Sequence, residues 1–293
     1  MKTQLQKSNC PAKPDWIRVP VPTGENVAFI RELKNKKHLH TVCESALCPN
    51  IAECWDAGQA TFMILGNGCT RDCSFCAVKG KSQRIKPKEP MRVAEAVRAM
   101  GLKHGVITSV TRDDLMDGGA SYFADTVSSI RELCPKISVE ILIPDFKGSR
   151  KAIARVANAL PDIIGHNIET VPRLYQKVRP EAVFSRSLRL LKIIKANSPS
   201  MITKSGLMVG LGESESEILD VFEALRSVDV DILTIGQYLR PGPDQLPVDR
   251  YYDPDEFIML KHKAEEMGFS WVESGPLVRS SYLAEKQADY FLK

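Results

Sequence analysis

From about residue 60 onward the chain alternates short β-branched runs with segments of helical period, the pattern of parallel βαβ units, and no other feature restricts the fold as much. The runs that read as strands are Thr61 to Leu65, Val106 to Val110, Ile137 to Ile143, Ile163 to Ile168, Ser205 to Val209 and Ile232 to Gln237. Helical patterns lie between and after them, near Val93 to Met100, Tyr122 to Cys134, Lys151 to Ala159, Ser185 to Ala196, Glu215 to Ser227 and Pro254 to Met267. Asp253 followed by Pro254 is a good helix start, a capping side chain with proline at the first helical position. Six units are two short of a closed eightfold barrel. The expected fold class is therefore α/β, an open partial (β/α)6 TIM-type barrel with its functional groups on the loops after the strands. The expected division is an N-terminal arm over 1–58, the barrel over 59–269 and a C-terminal extension over 270–293. Pro11, Pro14, Pro20 and Pro22 suggest an extended arm that wraps the barrel, and Gly275 to Tyr282 lies outside the repeat.

A length of 293 residues suits one such domain, and 43% hydrophobic with 26% charged residues describes a globular chain. No apolar stretch approaches the roughly 18 to 20 residues that cross a bilayer. The first ten residues have no apolar core or cleavage site of an export signal, so a cytoplasmic location is expected. Net charge is only +4, which does not favour nucleic acid. Eight cysteines are too few for a disulfide scaffold, so their spacing carries the information.

Cys69, Cys73 and Cys76 form C-x3-C-x2-C directly after the first expected strand, with Gly66 and Gly68 allowing a tight bend. Thiolates hold iron-sulfur clusters, usually four per four-iron cube, so three leave one iron open to an outside ligand. Cys43, Cys48 and Cys54 form a second set, C-x4-C-x5-C, also lacking one partner. Zinc is the alternative for both. No histidine lies in the first loop, however, and His38 or His40 with three thiolates would overfill a tetrahedral site. Three cysteines acting only as small hydrophobes would not explain such clustering. Cys10 and Cys134 have no cysteine neighbours; Cys134 reads as a packed side chain.

Cys69-Thr-Arg-Asp-Cys73-Ser-Phe-Cys76 resembles the cluster loop of the radical S-adenosylmethionine superfamily. The second triplet and the tail Arg279-Ser-Ser-Tyr282 make the chain similar to the lipoyl synthase family. Further matching blocks are Leu39 to Cys43, Asp113 to Gly119, Thr203 to Glu213 and Gly236 to Leu239. The resemblance implies two 4Fe-4S clusters and S-adenosylmethionine as cosubstrate. Its activity would be that of a sulfurtransferase, inserting sulfur at C6 and C8 of an octanoyl chain on a carrier lysine. The Cys69 cluster would generate the radical and the Cys43 cluster would donate sulfur. Implied partners are octanoylated lipoyl domains of 2-oxoacid dehydrogenases, the glycine cleavage H protein, a ferredoxin or flavodoxin, and an iron-sulfur carrier, with no nucleic acid and no membrane. The alternative is another sulfur-inserting radical enzyme.

The resemblance also makes Ser281 the fourth ligand of the donor cluster; Arg279 is a catalytic candidate that can pair with the carrier peptide, with a carboxylate near the cluster, or in a surface ion pair. Other candidates for binding S-adenosylmethionine carry weaker signals. Phe75 can pack on the adenine or under the loop. Gly118 and Gly119 can present backbone to the methionine amine or form a plain turn. Asn167, Glu169 and Lys204 are expected at strand ends on the loop face, where such barrels hold ligands. Asp72, Ser74 and Ala77 depart from the Arg, Pro and Asp of many relatives; Asp72 adds negative charge near the cluster.

Overall fold

The computed structural model describes residues 11–78 and 80–292; Cys10 lies outside them. The strands are β1 (His40–Thr41), β2 (Thr61–Ile64), β3 (His104–Ser109), β4 (Ser138–Leu142), β5 (Ile163–Gly165), β6 (Ile202–Val209), β7 (Ile232–Gln237) and β8 (Trp271–Gly275). They form one sheet in sequence order, with β1 antiparallel to β2 and every later pair parallel. Helices Glu89–Ala99, Ala120–Leu133, Arg150–Ala157, Phe184–Asn197, Glu215–Arg226 and Pro254–Glu266 follow strands β2 to β7 in turn. Each lies within a few residues of its expected place. The last two begin with full capping boxes at Ser214 and Asp253. Strands buried on both faces read as continuous apolar runs, which is why the alternation was so clear.

The structure corrects the two ends. The arm is not extended: Glu25–Lys36 is a three-turn helix, and Val42–Ser45 and Ile51–Asp56 are short helices. All four prolines that suggested extension precede this helix. Val27 and Ile30, three residues apart, pack with Cys43, Trp55 and Ala60 in a small core separate from that of the barrel, and Cys48 and Cys54 border it. The tail joins the repeat, because Trp271–Gly275 pairs with β7 as a seventh parallel strand. As an edge strand it is half-exposed and lacks the apolar run that marks its neighbours. The helix Ala284–Phe291 then closes the barrel's N-terminal mouth, its Ala288 and Phe291 packing on Ile163, Ile202, Ile232 and Trp271. Cys134 is buried in the main core. No helix among the described residues is long and apolar enough to cross a membrane.

Candidate active site and cluster positions

The loop after β2 is fixed from several sides. Ser74 N donates to the carbonyl of Val178 (2.9 Å), Leu246 N to that of Ser74 (3.0 Å), and Thr70 N to that of Thr111 (3.0 Å). Gly68 is required by a close approach: a Cβ there would stand 2.1 Å from the carbonyl oxygen of Lys81. Arg71, buried under the loop, forks onto Asp113 (Nε–Oδ2 2.7 Å, Nη2–Oδ1 3.0 Å) and reaches Asp145 (2.6 Å), which also pairs with Arg186 (3.0 Å). Although burial opposes its charge, Asp145 is held well below the usual carboxylate range by Arg71 and Arg186. Arg71 N donates to Cys69 Sγ (3.4 Å) and Val78 N to Cys76 Sγ (3.3 Å). Such bonds suit anionic sulfur and are among the groups that tune a cluster. Burial pushes the Cys73 thiol up to about 12, opposed by Arg179 and reinforced by the other two thiols.

Cys43, Cys48 and Cys54 line one pocket with Arg279, Ser281 and Tyr282. Burial pushes Cys43 up to about 11, helped by Cys48, and Cys54 to about 12, helped by Cys48 and Cys43; burial also raises Cys48, offset by Asn50 backbone and Arg279. The arm and tail are stitched together around this pocket. Asn50 Nδ2 donates to the Leu277 carbonyl (2.6 Å), Gln59 Nε2 to Glu285 (3.0 Å) and Tyr282 OH to Glu53 (3.2 Å). The two tail serines face different ways: Ser281 lines the pocket, whereas Ser280 Oγ accepts from Asn167 Nδ2 (2.7 Å).

Among the described residues, no three or more His, Cys, Asp or Glu side chains stand where they could hold a single metal ion. Zinc draws its sulfurs to about 2.3 Å from one centre. A four-iron cube takes one thiolate per iron, so three thiolates leave one iron for another ligand, and the second triplet lines its pocket together with Ser281, whose hydroxyl oxygen can serve as that ligand.

Asn167 and Glu169 sit just beyond β5 at the loop face, with Asn167 Nδ2 donating to Glu169 (3.0 Å). Glu169 adopts a left-handed φ of 69°, strained for a side chain of this kind, and its carboxyl is raised by burial against the pull of Arg179 and Arg279. Arg279 is itself lowered by burial and countered by Cys48 and Glu169, so it bridges the donor pocket and the strand ends. Gly118 and Gly119 turn with φ of 62° and 90°; a Cβ on Gly119 would lie 2.3 Å from Leu65. Their N–H groups are committed within the turn, to Leu115 and Asp117, and the Gly119 carbonyl accepts from Tyr122 N and Phe123 N, so what the pair can offer a ligand is the Gly118 carbonyl oxygen. Phe75 packs half-buried against the barrel core. Asp72 is exposed, where its charge is screened by solvent.

Lys204 is a correction. β6 begins at Ile202, two residues before it, so Lys204 stands inside the barrel and not at a strand end on the loop face. There its ammonium donates to Glu140 (2.8 Å), with His104 at 3.4 Å from the same carboxylate. Sequence reasoning missed Arg71, Asp145 and Asn50. Arg71 lay within the cysteine loop, but nothing local pointed to Asp145, 74 residues away.

The Radical SAM superfamily model matches residues 63–225, more than half of the chain. The folds agree: the chain superposes on Streptococcus suis SuiB bound to S-adenosylmethionine with a TM-score of 0.58 (13% identity, 87% of this chain, 58% of that one). It also superposes on HydG, a maturase of the FeFe-hydrogenase, with a TM-score of 0.57 (12% identity, 79% and 62%). At higher identity it matches lipoyl synthase of Rubrobacter xylanophilus, 57% over 278 residues covering 94% of this chain and 87% of the relative. The lipoyl synthase of Alkaliphilus metalliredigens is 50% identical over 277 residues, covering 94% and 96%. The chain belongs to the lipoyl synthase family, enzymes that use two 4Fe-4S clusters and S-adenosylmethionine.

Proposed function

We propose that this chain inserts sulfur at C6 and C8 of an octanoyl group carried on the lysine of a lipoyl domain, with its two cysteine triplets divided between two tasks. The bound clusters and S-adenosylmethionine supply the hard chemistry, a 5'-deoxyadenosyl radical for hydrogen abstraction and sulfide for the new C–S bonds. The chain supplies ligands, position and exclusion of water. Cys69, Cys73 and Cys76 hold the radical-generating cluster, on a loop that Arg71 and Asp113 lock to the neighbouring strand end. Asn167, Glu169 and the Gly118–Gly119 turn border S-adenosylmethionine, and Phe75 supports the loop from below. Cys43, Cys48 and Cys54 hold the donor cluster and Ser281 completes it. A hydroxyl oxygen is a weaker iron ligand than thiolate, which suits an iron that must leave. Arg279 faces both Cys48 and Glu169, so it offsets negative charge in the space between the two sets.

The observation that carries this reading is the split of the tail serines, Ser281 into the thiol pocket and Ser280 onto Asn167. Octanoylated lipoyl domains of 2-oxoacid dehydrogenases and the glycine cleavage H protein are the substrates we assign. A ferredoxin or flavodoxin supplies electrons, an iron-sulfur carrier rebuilds the donor cluster, and the cytoplasm is the location. Anaerobic incubation with an octanoyl-lysyl peptide, S-adenosylmethionine and dithionite tests the reading by mass analysis. The peptide should gain two sulfur atoms with its hydrogen count unchanged, as the dithiol, and lose two hydrogens only if that dithiol is afterwards oxidised to the disulfide. Cleavage of S-adenosylmethionine with no sulfur in the peptide would point to a different acceptor.

A further inference from the structure

Charge is spread unevenly over the barrel's outer layer. Helix Arg150–Ala157 carries Arg150, Lys151 and Arg155, helix Phe184–Asn197 carries Arg186, Arg189, Lys192 and Lys195, and neither contains an acidic residue. These seven exceed the +4 of the whole chain, so the remainder of the molecule is net negative. The two helices pack side by side. The turn Phe146–Gly148 lies against the second of them, since a Cβ on Gly148 would stand 2.9 Å from Nη2 of Arg189 and 3.5 Å from Cγ of Arg186. Lys147, Arg150, Lys151, Arg155, Arg189 and Lys192 are all exposed. Acidic neighbours are few, with exposed Asp72 and Glu181 standing where the face meets the cysteine loop. Asp145 is buried beneath Arg71 and Arg186, Lys195 is matched by Asp231, and Asp117 is within electrostatic reach of Arg155. Lys151 with Arg155, and Arg186, Arg189, Lys192 and Lys195 at successive three-residue steps, are like charges at spacings that destabilise a helix. Arg186 and Lys195 are held by carboxylates, but folding alone gives no reason for the exposed Arg150, Lys151, Arg189 and Lys192.

This face adjoins the Cys73 loop. Ser74 N bonds the Val178 carbonyl and Asp72 N bonds Glu181 Oε1 (3.0 Å), and residues 178–181 lead directly into helix Phe184–Asn197. The N-terminal end of helix Phe184–Asn197 is thus tied to the cysteine loop through residues 178–181. The other cysteine pocket is reached between the arm and the tail. We propose that the basic face of helices Arg150–Ala157 and Phe184–Asn197 docks an acidic one-electron carrier protein, which reduces the cluster held by the Cys69 loop. The inference rests on the reading of that loop given above. One electron leaves the carrier and enters the cluster; no bond or proton moves. Small, charge-steered contacts with a modest apolar share are typical of electron-transfer encounters, and they weaken steeply with salt.

The test compares two reductants in the reconstituted protein, dithionite and an acidic flavodoxin with its reductase, reading 5'-deoxyadenosine formation. In the variant Arg150→Glu, Lys151→Glu, Arg189→Glu, Lys192→Glu, the KM for flavodoxin should rise about tenfold or more, while dithionite-driven cleavage stays unchanged. Added salt should raise that KM in the unaltered protein and far less in the variant. If the dithionite rate also falls, the milder pair Arg150→Glu with Arg189→Glu carries the same comparison. Unchanged flavodoxin kinetics would overturn the proposal. So would a raised KM for an octanoylated lipoyl domain, or lost retention of RNA, with flavodoxin kinetics intact, because either assigns the face to another partner. Absence of dithionite-driven cleavage in the unaltered protein overturns the cluster assignment and the docking proposal with it.

Discussion

At the scale of single residues, the two tail serines make the sharpest contrast. Ser281→Ala should leave the three thiols of the donor pocket able to hold iron, yet lower lipoyl formation by about 100-fold, the upper range for loss of a group that orients a metal site. Ser280→Ala removes only the acceptor for Asn167 and should cost far less. Iron content and peptide mass analysis of both variants decide it, and equal effects would send the tail back to a structural role. The cysteines divide similarly. Cys73→Ala should reduce S-adenosylmethionine cleavage to background, whereas Cys48→Ala should keep cleavage and lose sulfur insertion; persistence of cleavage in Cys73→Ala would show the two roles reversed. A third residue, His166, governs pH dependence. Its Nδ1–H donates to the Ile143 carbonyl (2.8 Å) and its Nε2 pairs with the Ser187 hydroxyl (2.8 Å), so both ring nitrogens have partners without the ring carrying a charge. Burial, helped by Arg179, lowers it from 6.5 to about 4. Because the unfolded chain binds the extra proton first, the stabilisation is complete above pH 6.5 and is lost as pH falls towards 4, by about 3 kcal/mol in all. Denaturant unfolding at pH 7 and pH 5 should show this loss in the native sequence and a much flatter profile in His166→Gln.

At the scale of elements, the Cys69 loop depends on the cage beneath it more than on its own sequence. Arg71→Ala leaves Asp113 without its partner and Asp145 with Arg186 alone, which should cost about 3 kcal/mol of stability, the lower end of the range for breaking a buried pair. Arg71→Lys keeps the charge but not the fork onto Asp113, so its unfolding midpoint should fall between the two; a midpoint equal to that of the native protein would mean the cage carries no load. The same cage marks where sequence reading stops. β-branched runs announced β2 to β7 because those strands are buried on both faces, and caps at Ser214 and Asp253 announced two helices. The cysteine spacings announced both thiol sets for a chemical reason, that clusters need several thiolates close together. By contrast, Asp145 reaches Arg71 through the fold, and no local pattern encodes that. β8 was missed because an edge strand needs no apolar run, and the helix Glu25–Lys36 because its buried face is little more than Val27 and Ile30. Lys204 looked like a ligand because its strand begins earlier than the apolar run, at Ile202.

At the scale of the whole molecule, the two chain ends form one unit that the barrel only partly supports. The arm has its own small core of Val27, Ile30, Cys43, Trp55 and Ala60, and Cys48 and Cys54 border that core. Three polar contacts, Asn50 to Leu277, Gln59 to Glu285 and Tyr282 to Glu53, are what the protein itself provides to hold arm against tail. Hydrogen bonds of this kind contribute about 0.5–1.5 kcal/mol each, up to about 3 where a carboxylate takes part. A cluster held by Cys43, Cys48 and Cys54 on one side and Ser281 on the other would add a cross-link between segments some 230 residues apart, and its binding energy would appear as local stability. Removing iron from the anaerobic protein with a chelator should therefore speed hydrogen exchange in residues 43–58 and 277–283. The barrel strands β3 to β7, whose cohesion comes from the main core, should keep their protection. In Ser281→Ala the tail should lose protection even with iron present, while the arm, still tied by three thiolates, should lose less. Uniform loss of protection through the barrel, or none in the arm and tail, would show that this cluster is not what joins the two ends of the chain.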